Sequence, residues 1–281
     1  MPTTTNHAST IACTIIALLL ASCIDSEKSS EHHGDTEVAH WGYEADNGPD
    51  AWASMDPAWS VCAEGREQSP IDISSATEIE LPAIIINRPS ERKFEVLNQA
   101  GVVNALDNGH TIQVNSKTGE TIAIGDGIFA LVQFHFHAPS EHTVDGKHFP
   151  MEMHFVHQAD NGSLAVVGVL IEEGAANASI APLWAQLSAS PGTNATIDVS
   201  AEFSQHVFPD IGTGLHHYEG SLTTPPCSEG VKWYVRKTPT QLSREQIAAF
   251  TAIYDHNNRP VQALNGRMLY LDENPNVSIR N

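Results

Sequence analysis

Three histidines on two short apolar segments have the spacing of a metal site. In Gln133-Phe134-His135-Phe136-His137, polar and aromatic residues alternate, so an extended strand would place Gln133, His135 and His137 on one face and the two phenylalanines on the other. Two imidazoles about 7 Å apart along a strand can converge on a single ion. The pattern therefore predicts that His135 and His137 bind a metal.

A second strand-like segment, residues 151–157, supplies the third candidate ligand. Its alternation places Glu152, His154 and Val156 on one face. An ideal two-residue hairpin at Asp145-Gly146 would set His154 opposite His137, although Pro139 is expected to interrupt that ladder and leaves the register open. Three neutral imidazoles with a fourth position open suit a catalytic zinc ion.

The same faces carry groups that could orient the rings, Gln133 and Glu152. The alternative is a plain strand core without metal. The remaining histidines of these regions are expected to be ordinary hydrogen-bonded residues; they are His142, His148, His157, His216 and His217.

The elements that must position these residues are mostly strands. Short apolar segments rich in Val, Ile, Phe and Thr, separated by Asp-Gly and Asn-Gly turns, recur at 83–86, 94–97, 111–114, 121–124, 130–137, 151–157, 164–171 and 231–235. The sequence predicts two helices. One begins at the capping-box pattern of Ser243 and Gln246, and the other covers residues 179–187. We expect one domain, residues 41–281, built on a sheet with short surface helices.

The charge balance excludes one class of partner. The chain of 281 residues has 14 Lys and Arg against 34 Asp and Glu, which gives a formal net charge of −20. Binding to a phosphate backbone needs clustered cations. A nucleic-acid partner is therefore not expected.

The N-terminal segment has the composition of an export signal. Residues 1–22 contain no Lys, Arg, Asp or Glu, and an apolar run at 11–21 ends in Leu20-Ala21-Ser22-Cys23, which resembles the lipobox of bacterial lipoproteins. We expect lipid attachment at Cys23 and a flexible tether over residues 23–40, because that segment has almost nothing to bury. The alternative is an ordinary cleaved signal peptide. The expected location is the periplasm or cell envelope of a bacterium.

Two further cysteines, Cys62 and Cys227, remain after export. In an oxidising compartment they could form a disulfide, although two separate buried thiols are the alternative.

Dispersed motifs resemble the α-class carbonic anhydrases, and specifically their exported bacterial members, from Trp41 to about Leu271. The matching pieces are Trp41-Gly42-Tyr43, Gly48-Pro49, Gln68-Ser69-Pro70-Ile71-Asp72, Asn108-Gly109-His110, Gln133-Phe134-His135-Phe136-His137, Ser140-Glu141-His142-Thr143-Val144, Glu152-Met153-His154, Gly220-Ser221-Leu222-Thr223-Thr224-Pro225-Pro226-Cys227 and Asn258-Arg259-Pro260. The resemblance implies a mainly β domain with a central, mostly antiparallel twisted sheet of about ten strands, short peripheral helices and a conical cavity.

The resemblance also implies a function: reversible hydration of carbon dioxide to bicarbonate and a proton by hydroxide bound to a Zn²⁺ ion. It makes His135, His137 and His154 the zinc ligands. It implies that Thr223 and Glu141 orient the hydroxide, that Thr224 binds bicarbonate and that His110 is the proton shuttle. The implied supporting residues are Gln133 and Glu152 beside the ligands, Tyr43, Asn108 and Gln113 beside the water chain, and Val156, Val166, Leu222, Val231 and Trp233 in the carbon dioxide pocket.

Two partnerships follow from the same resemblance: a Cys62–Cys227 bridge, as in exported bacterial relatives, and a homodimer. The sequence also leaves two other function classes open. One is a binding module with this fold and no turnover, against which the three intact histidines argue. The other is a zinc-scavenging lipoprotein that uses His32 and His33 in the tether.

Overall fold

A computed structural model describes residues 40–88, 92–98, 110–116, 119–187, 194–199 and 214–280. The predicted signal segment 1–22, the lipidation residue Cys23, the tether up to residue 39, and Asn108 lie outside the described residues. Among the described residues no helix is long and apolar enough to cross a membrane.

Strands dominate the described chain. They are β1 Asp72–Ile73, β2 Thr77–Glu78, β3 Ile84–Asn87, β4 Arg92–Asn98, β5 Ile112–Ser116, β6 Thr121–Ile124, β7 Gly127–His137, β8 Thr143–Val144, β9 Lys147–His148, β10 Met151–Gln158, β11 Leu164–Glu173, β12 Asn194–Val199, β13 Leu215–Ser221, β14 Glu229–Leu242, β15 Tyr270–Asp272 and β16 Val277–Arg280. The helices are α1 Trp52–Met55, α2 Val61–Glu64, α3 Ala181–Leu187 and α4 Arg244–Thr251, with 3-10 turns at Pro57–Trp59 and Ala178–Ile180. All eight strand segments expected from the sequence are present.

Ten strands form one continuous path in the order β12-β4-β5-β7-β10-β11-β14-β13-β15-β2. Three further strands lie off this path: β6 pairs with β7, β3 pairs with β6, and β16 pairs with β3. Within this sheet the described pairs are antiparallel except β11 with β14, β15 with β2, and β16 with β3. The expected mostly antiparallel sheet of about ten strands is confirmed.

One face of the sheet packs against the main hydrophobic core and two helices. The larger core cluster contains Phe134, Phe136 and Phe155 from the central strands, together with Leu183 of α3 and Phe250 of α4. Helix α4 begins at the predicted capping box, in which Ser243 Oγ accepts a hydrogen bond from Gln246 N and Gln246 Oε1 accepts one from Ser243 N. The helices therefore cover the phenylalanine face of β7, as the alternation predicts.

A β-bulge divides strand β7. Val156 of β10 lies opposite Gln133, but the next residue, His157, lies opposite Leu131, so Val132 is the extra residue. The bulge reverses the alternation of buried positions. Phe129 and Leu131, which are odd-numbered and precede it, lie in the same core as the even-numbered phenylalanines that follow it. The strand thus keeps one face in the core along its whole length while the odd-numbered histidines face away from it.

The predicted pairing of Cys62 with Cys227 is confirmed, because their sulfur atoms are bonded. The bridge packs with Trp52 in a small aromatic cluster that Trp41 and Tyr43 also contact. It ties α2 to the loop that follows β13.

Candidate metal centre

The three histidines predicted as ligands come together on the face of the sheet opposite the main core. His135 and His137 lie on β7, and His154 lies on the neighbouring β10. The ring centroids are 4.9 Å apart for His135 and His137, 5.3 Å for His135 and His154, and 4.6 Å for His137 and His154. One nitrogen from each ring lies within 4.8 Å of the others.

The predicted register of these strands is wrong by two residues. His154 lies opposite His135, and Glu152 lies opposite His137. The Asp145-Gly146 turn does form, and it pairs Thr143 with His148 as a two-residue hairpin requires.

That hairpin joins β8 to β9, which form a separate three-stranded sheet with β1. The ladder of β7 ends at His137, and Pro139 has no N–H with which to continue it. A slip of two residues preserves the face on which a side chain lies, so the three imidazoles still converge.

Each ring is held by the nitrogen that faces away from the centre. His135 Nδ1 donates to Gln133 Oε1 at 2.8 Å, and His137 Nδ1 donates to the Asn257 carbonyl at 2.6 Å. His154 Nε2 lies 2.9 Å from Glu152 Oε1. The nitrogens left for a ligand role are therefore Nε2, Nε2 and Nδ1.

The donor set fits a zinc ion. The pKa of all three imidazoles lies below the ordinary value because burial disfavours the charged form, and that of His137 falls to about 4. Neutral imidazole is the form that binds metals. His137 Nε2 is buried with no hydrogen-bond partner among the described residues, which is costly unless a cation occupies the centre.

Asn257 was not predicted from the sequence, yet it connects several parts of the site. Besides accepting from His137, it accepts the Ala138 N–H at Oδ1, and its Nδ2 donates to the His110 and Phe136 carbonyls. It therefore fixes one ligand relative to His110. The only signal near it in the sequence is the family motif Asn258-Arg259-Pro260, which begins at the next residue.

A buried carboxylate, Glu141, faces the centre. Its Oε2 lies 3.5 Å from His137 Nε2 and 3.7 Å from His154 Nδ1, and its Oε1 accepts from Arg259 N at 2.8 Å. Burial raises the pKa of Glu141 to about 7, although His154, Arg259 and Thr223 oppose the rise. A divalent cation at the centre would favour its ionised form.

A second carboxylate, Glu152, organises the surroundings of His154. Its Oε2 accepts from the backbone N–H groups of Glu141 and His142, and its Oε1 accepts from His142 Nδ1 at 2.7 Å. Burial raises its pKa, but the imidazoles of His142 and His154 outweigh this and hold the pKa of Glu152 well below 4.5. Glu152 is therefore an anion.

From the sequence, His142 was expected to be an ordinary hydrogen-bonded residue outside the site. In the structure its Nε2 lies 2.7 Å from the Tyr218 hydroxyl, which is 2.9 Å from Ser69 Oγ. A hydrogen-bonded chain thus runs from Glu152, which contacts the predicted ligand His154, through His142 to Tyr218. The only sequence signal for this chain is the family motif that contains His142.

An open cavity of about 160 Å³ leads to the metal centre. Predicted residues at its wall are Tyr43, His110, Gln113, Gln133 and Thr224, together with the ligands His135 and His137. His110 Nε2 donates to the Trp41 carbonyl at 3.0 Å, and its ring lies 5.3 Å from that of Tyr43. The cavity therefore joins the expected shuttle residue to the centre.

The five residues predicted for the carbon dioxide pocket belong to one apolar cluster beneath the centre. They are Val156, Val166, Leu222, Val231 and Trp233. The Trp233 ring lies 4.9 Å from the His154 ring. Thr223, predicted to orient the hydroxide, is buried beside Glu141.

Comparison with known proteins gives one consistent family. Residues 47–273 match the model of the eukaryotic-type carbonic anhydrases. The carbonic anhydrase of Pectobacterium atrosepticum is 39% identical over 255 residues, 90% of this chain and 97% of that protein. The carbonic anhydrase of Neisseria gonorrhoeae is 36% identical over 258 residues, 91% of this chain and 95% of that protein.

Among solved structures, the α-carbonic anhydrase of Thermovibrio ammonificans in complex with sulfanilamide superposes with a TM-score of 0.73. It is 40% identical to this chain, and the match covers 83% of this chain and 99% of that chain.

Proposed function

Because the chain belongs to the eukaryotic-type, or α-class, carbonic anhydrase family and is a carbonate dehydratase, we propose that it hydrates carbon dioxide reversibly with a zinc ion held by His135, His137 and His154. The observation that carries the proposal is that three neutral imidazoles, two of them buried and that of His135 half-buried, bring one nitrogen each to within 4.8 Å of one another. When bound there, zinc would lower the pKa of a water to about 7, the value established for carbonic anhydrases, and so supply hydroxide at neutral pH.

Thr223 and Glu141 orient the nucleophile. Thr223 accepts the proton of the attacking oxygen in a hydrogen bond and donates its own hydroxyl proton to Glu141. Because an ionised carboxylate can only accept, the chain of donors has one direction and leaves a lone pair aimed at the substrate. The Arg259 N–H supports this by binding the other oxygen of Glu141.

The apolar cluster around Trp233 receives carbon dioxide. The substrate has no net dipole, so it gains from removal from water and not from directed hydrogen bonds. Val166, Val231 and Trp233 are almost completely buried, and Val156 and Leu222 pack against them. Thr224, which lines the cavity, is proposed to bind a bicarbonate oxygen.

The experiment that tests the function combines metal analysis with a hydration assay on the purified full chain. We expect one zinc ion per chain and carbon dioxide hydration that falls with chelation and returns with added zinc. Zinc bound without any hydration would favour the binding module instead, and hydration that survives complete zinc removal would contradict the proposal.

His110 is proposed to carry the proton away from the centre through water, with Tyr43, Gln113 and Asn108 holding the water chain. We expect His110→Ala to lower turnover about tenfold or more in dilute buffer, because a positioned imidazole is lost. Added imidazole should restore the rate. His256→Asn removes an exposed imidazole instead and should change nothing; an unaltered rate in His110→Ala would remove the shuttle role.

We also propose that residues 1–22 direct export, that Cys23 carries lipid and that residues 23–40 tether the catalytic domain 41–281. The Cys62–Cys227 bridge supports export, since such bonds persist in oxidising compartments. Mass spectrometry of the mature protein should find a lipid-modified Cys23 at its N-terminus. An unmodified N-terminus elsewhere would contradict the anchor, and sedimentation of the same sample would test the proposed homodimer.

A further inference from the structure

A second cavity, on the opposite face of the sheet from the metal centre, is not used by the proposed reaction. Its volume is about 420 Å³, which lies within the range of small-molecule sites. One wall is apolar and comes from residues 79–82 and the β6–β7 hairpin. The other comes from β13, β14 and β15. The lining includes Ile79, Phe129, His217, Lys232, Tyr234 and Tyr270.

The second wall is a row of aromatic rings. Tyr270, His217 and Tyr234 are cross-strand neighbours, since His217 lies opposite both tyrosines. The His217 and Tyr234 rings are stacked at 4.5 Å and 15°, and the His217 and Tyr270 rings at 6.3 Å and 19°. A planar aromatic molecule can extend such an array by offset stacking or edge contact.

The cavity wall also contains the side chain of Tyr234, whose hydroxyl has no protein partner among the described residues. The Tyr234 side chain is only 4% exposed, and no hydrogen bond to its hydroxyl is found in the part of the chain that the structure describes. Burial keeps the pKa of Tyr234 high, at about 12, so the hydroxyl keeps its proton. Because no described group of the protein occupies this hydroxyl, it can donate a hydrogen bond to a ligand or accept one from it.

The charges at the cavity argue for a neutral ligand. Lys232 Nζ lies 3.1 Å from Glu219 Oε1, so the one ammonium among the lining residues is already neutralised. The chain as a whole carries a net charge of −20, which disfavours anions. Nothing in the lining offers a free charge to an ionic ligand.

From the ring array, the Tyr234 hydroxyl and the neutralised lysine, we propose that this cavity binds a neutral aromatic molecule of one or two rings bearing one hydrogen-bonding group, of the phenol or indole class. The ring lies between Phe129 and the aromatic wall, and its polar group bonds the Tyr234 hydroxyl. Strands β13 and β14 separate this ligand from the metal centre, because Tyr218 and Trp233 of the same strands face the other side. The site is therefore independent of the proposed zinc ion.

Binding of 2-naphthol to the full-length protein, followed by the methyl NMR signals of Ile79 and Ile124, tests the proposal. We expect saturable shifts with the same dissociation constant before and after zinc removal. Equal affinity in the two forms distinguishes this cavity from the cavity that leads to the zinc.

Two variants locate the ligand. Tyr234→Phe keeps the ring and should weaken binding about three- to tenfold, the value of one hydrogen bond. Ile79→Trp places a large side chain at the partly buried rim and should abolish binding, whereas Ile253→Trp, at an exposed position after α4, should not. Absence of saturable shifts, or affinity that neither Tyr234→Phe nor Ile79→Trp changes, would overturn the proposal.

Discussion

Replacement of His137 by alanine is expected to abolish both stoichiometric zinc binding and carbon dioxide hydration. His137 provides one of the three converging nitrogens, and its ring is fixed by the Asn257 carbonyl. Loss of a hydrogen-bonding partner of a ligand alone costs about 10- to 100-fold in metal affinity, so loss of the ligand should cost more than about 100-fold. Zinc content after dialysis and the initial rate of acidification would measure the two effects.

His157 provides the matched control for this variant. It lies on the same strand as His154 and is equally buried, but its Nδ1 donates to the Phe155 carbonyl and it is not among the converging histidines. His157→Gln should lower the free energy of unfolding while retaining zinc and activity at moderate temperature. Zinc retained in His137→Ala, or lost equally in both variants, would refute the assignment of the ligands.

Removal of the Cys62–Cys227 bridge is expected to have the largest effect on stability. The bridge joins residues 165 positions apart, and a loop of that length corresponds to about 5 kcal/mol of unfolded-state entropy. Domains of ordinary stability have a free energy of unfolding of about 5–15 kcal/mol, so loss of the bridge would remove a large share of it. Urea unfolding of the Cys62→Ala/Cys227→Ala double variant would measure it.

The bridge is close to Thr224 and Glu141, which are proposed to act in the reaction, so loss of the bridge should also affect their positions. Cys227 N donates to the Thr224 carbonyl, and the Cys62 carbonyl accepts from Arg259, whose own N–H binds Glu141. A reducing agent should bring the unaltered protein to the stability of the double variant and leave the variant itself unchanged. Equal urea midpoints of the two proteins under oxidising conditions would contradict this prediction.

Patterns confined to one element predicted the fold well. Alternation along β7 predicted which side of the strand each histidine occupies, and the capping box predicted the start of α4. Each depends on interactions within a few residues, which the sequence displays directly.

Features that depend on distant pairing were not predicted. The register of β7 against β10 is wrong by two residues because Asp145-Gly146 closes a different hairpin. Asn257 and Tyr218 reach the site from distant strands and loops, and no local pattern reveals that His137 meets the Asn257 carbonyl 120 residues away. The family was nevertheless predictable, since its motifs contain the three histidines that are proposed as ligands.

The extra residue Val132 limits which insertions and deletions strand β7 can accept. Before Val132, the odd-numbered residues Phe129 and Leu131 are apolar and buried in the core. After it, the odd-numbered positions include the two histidines. The two halves are out of phase, so deleting a single amino acid here would force a choice between burying the metal-binding rings in hydrocarbon and exposing Phe129 and Leu131 to water. The irregularity therefore lets one strand contribute both to the core and to the proposed metal site, and we expect insertions and deletions at this point to be tolerated only as two residues at a time.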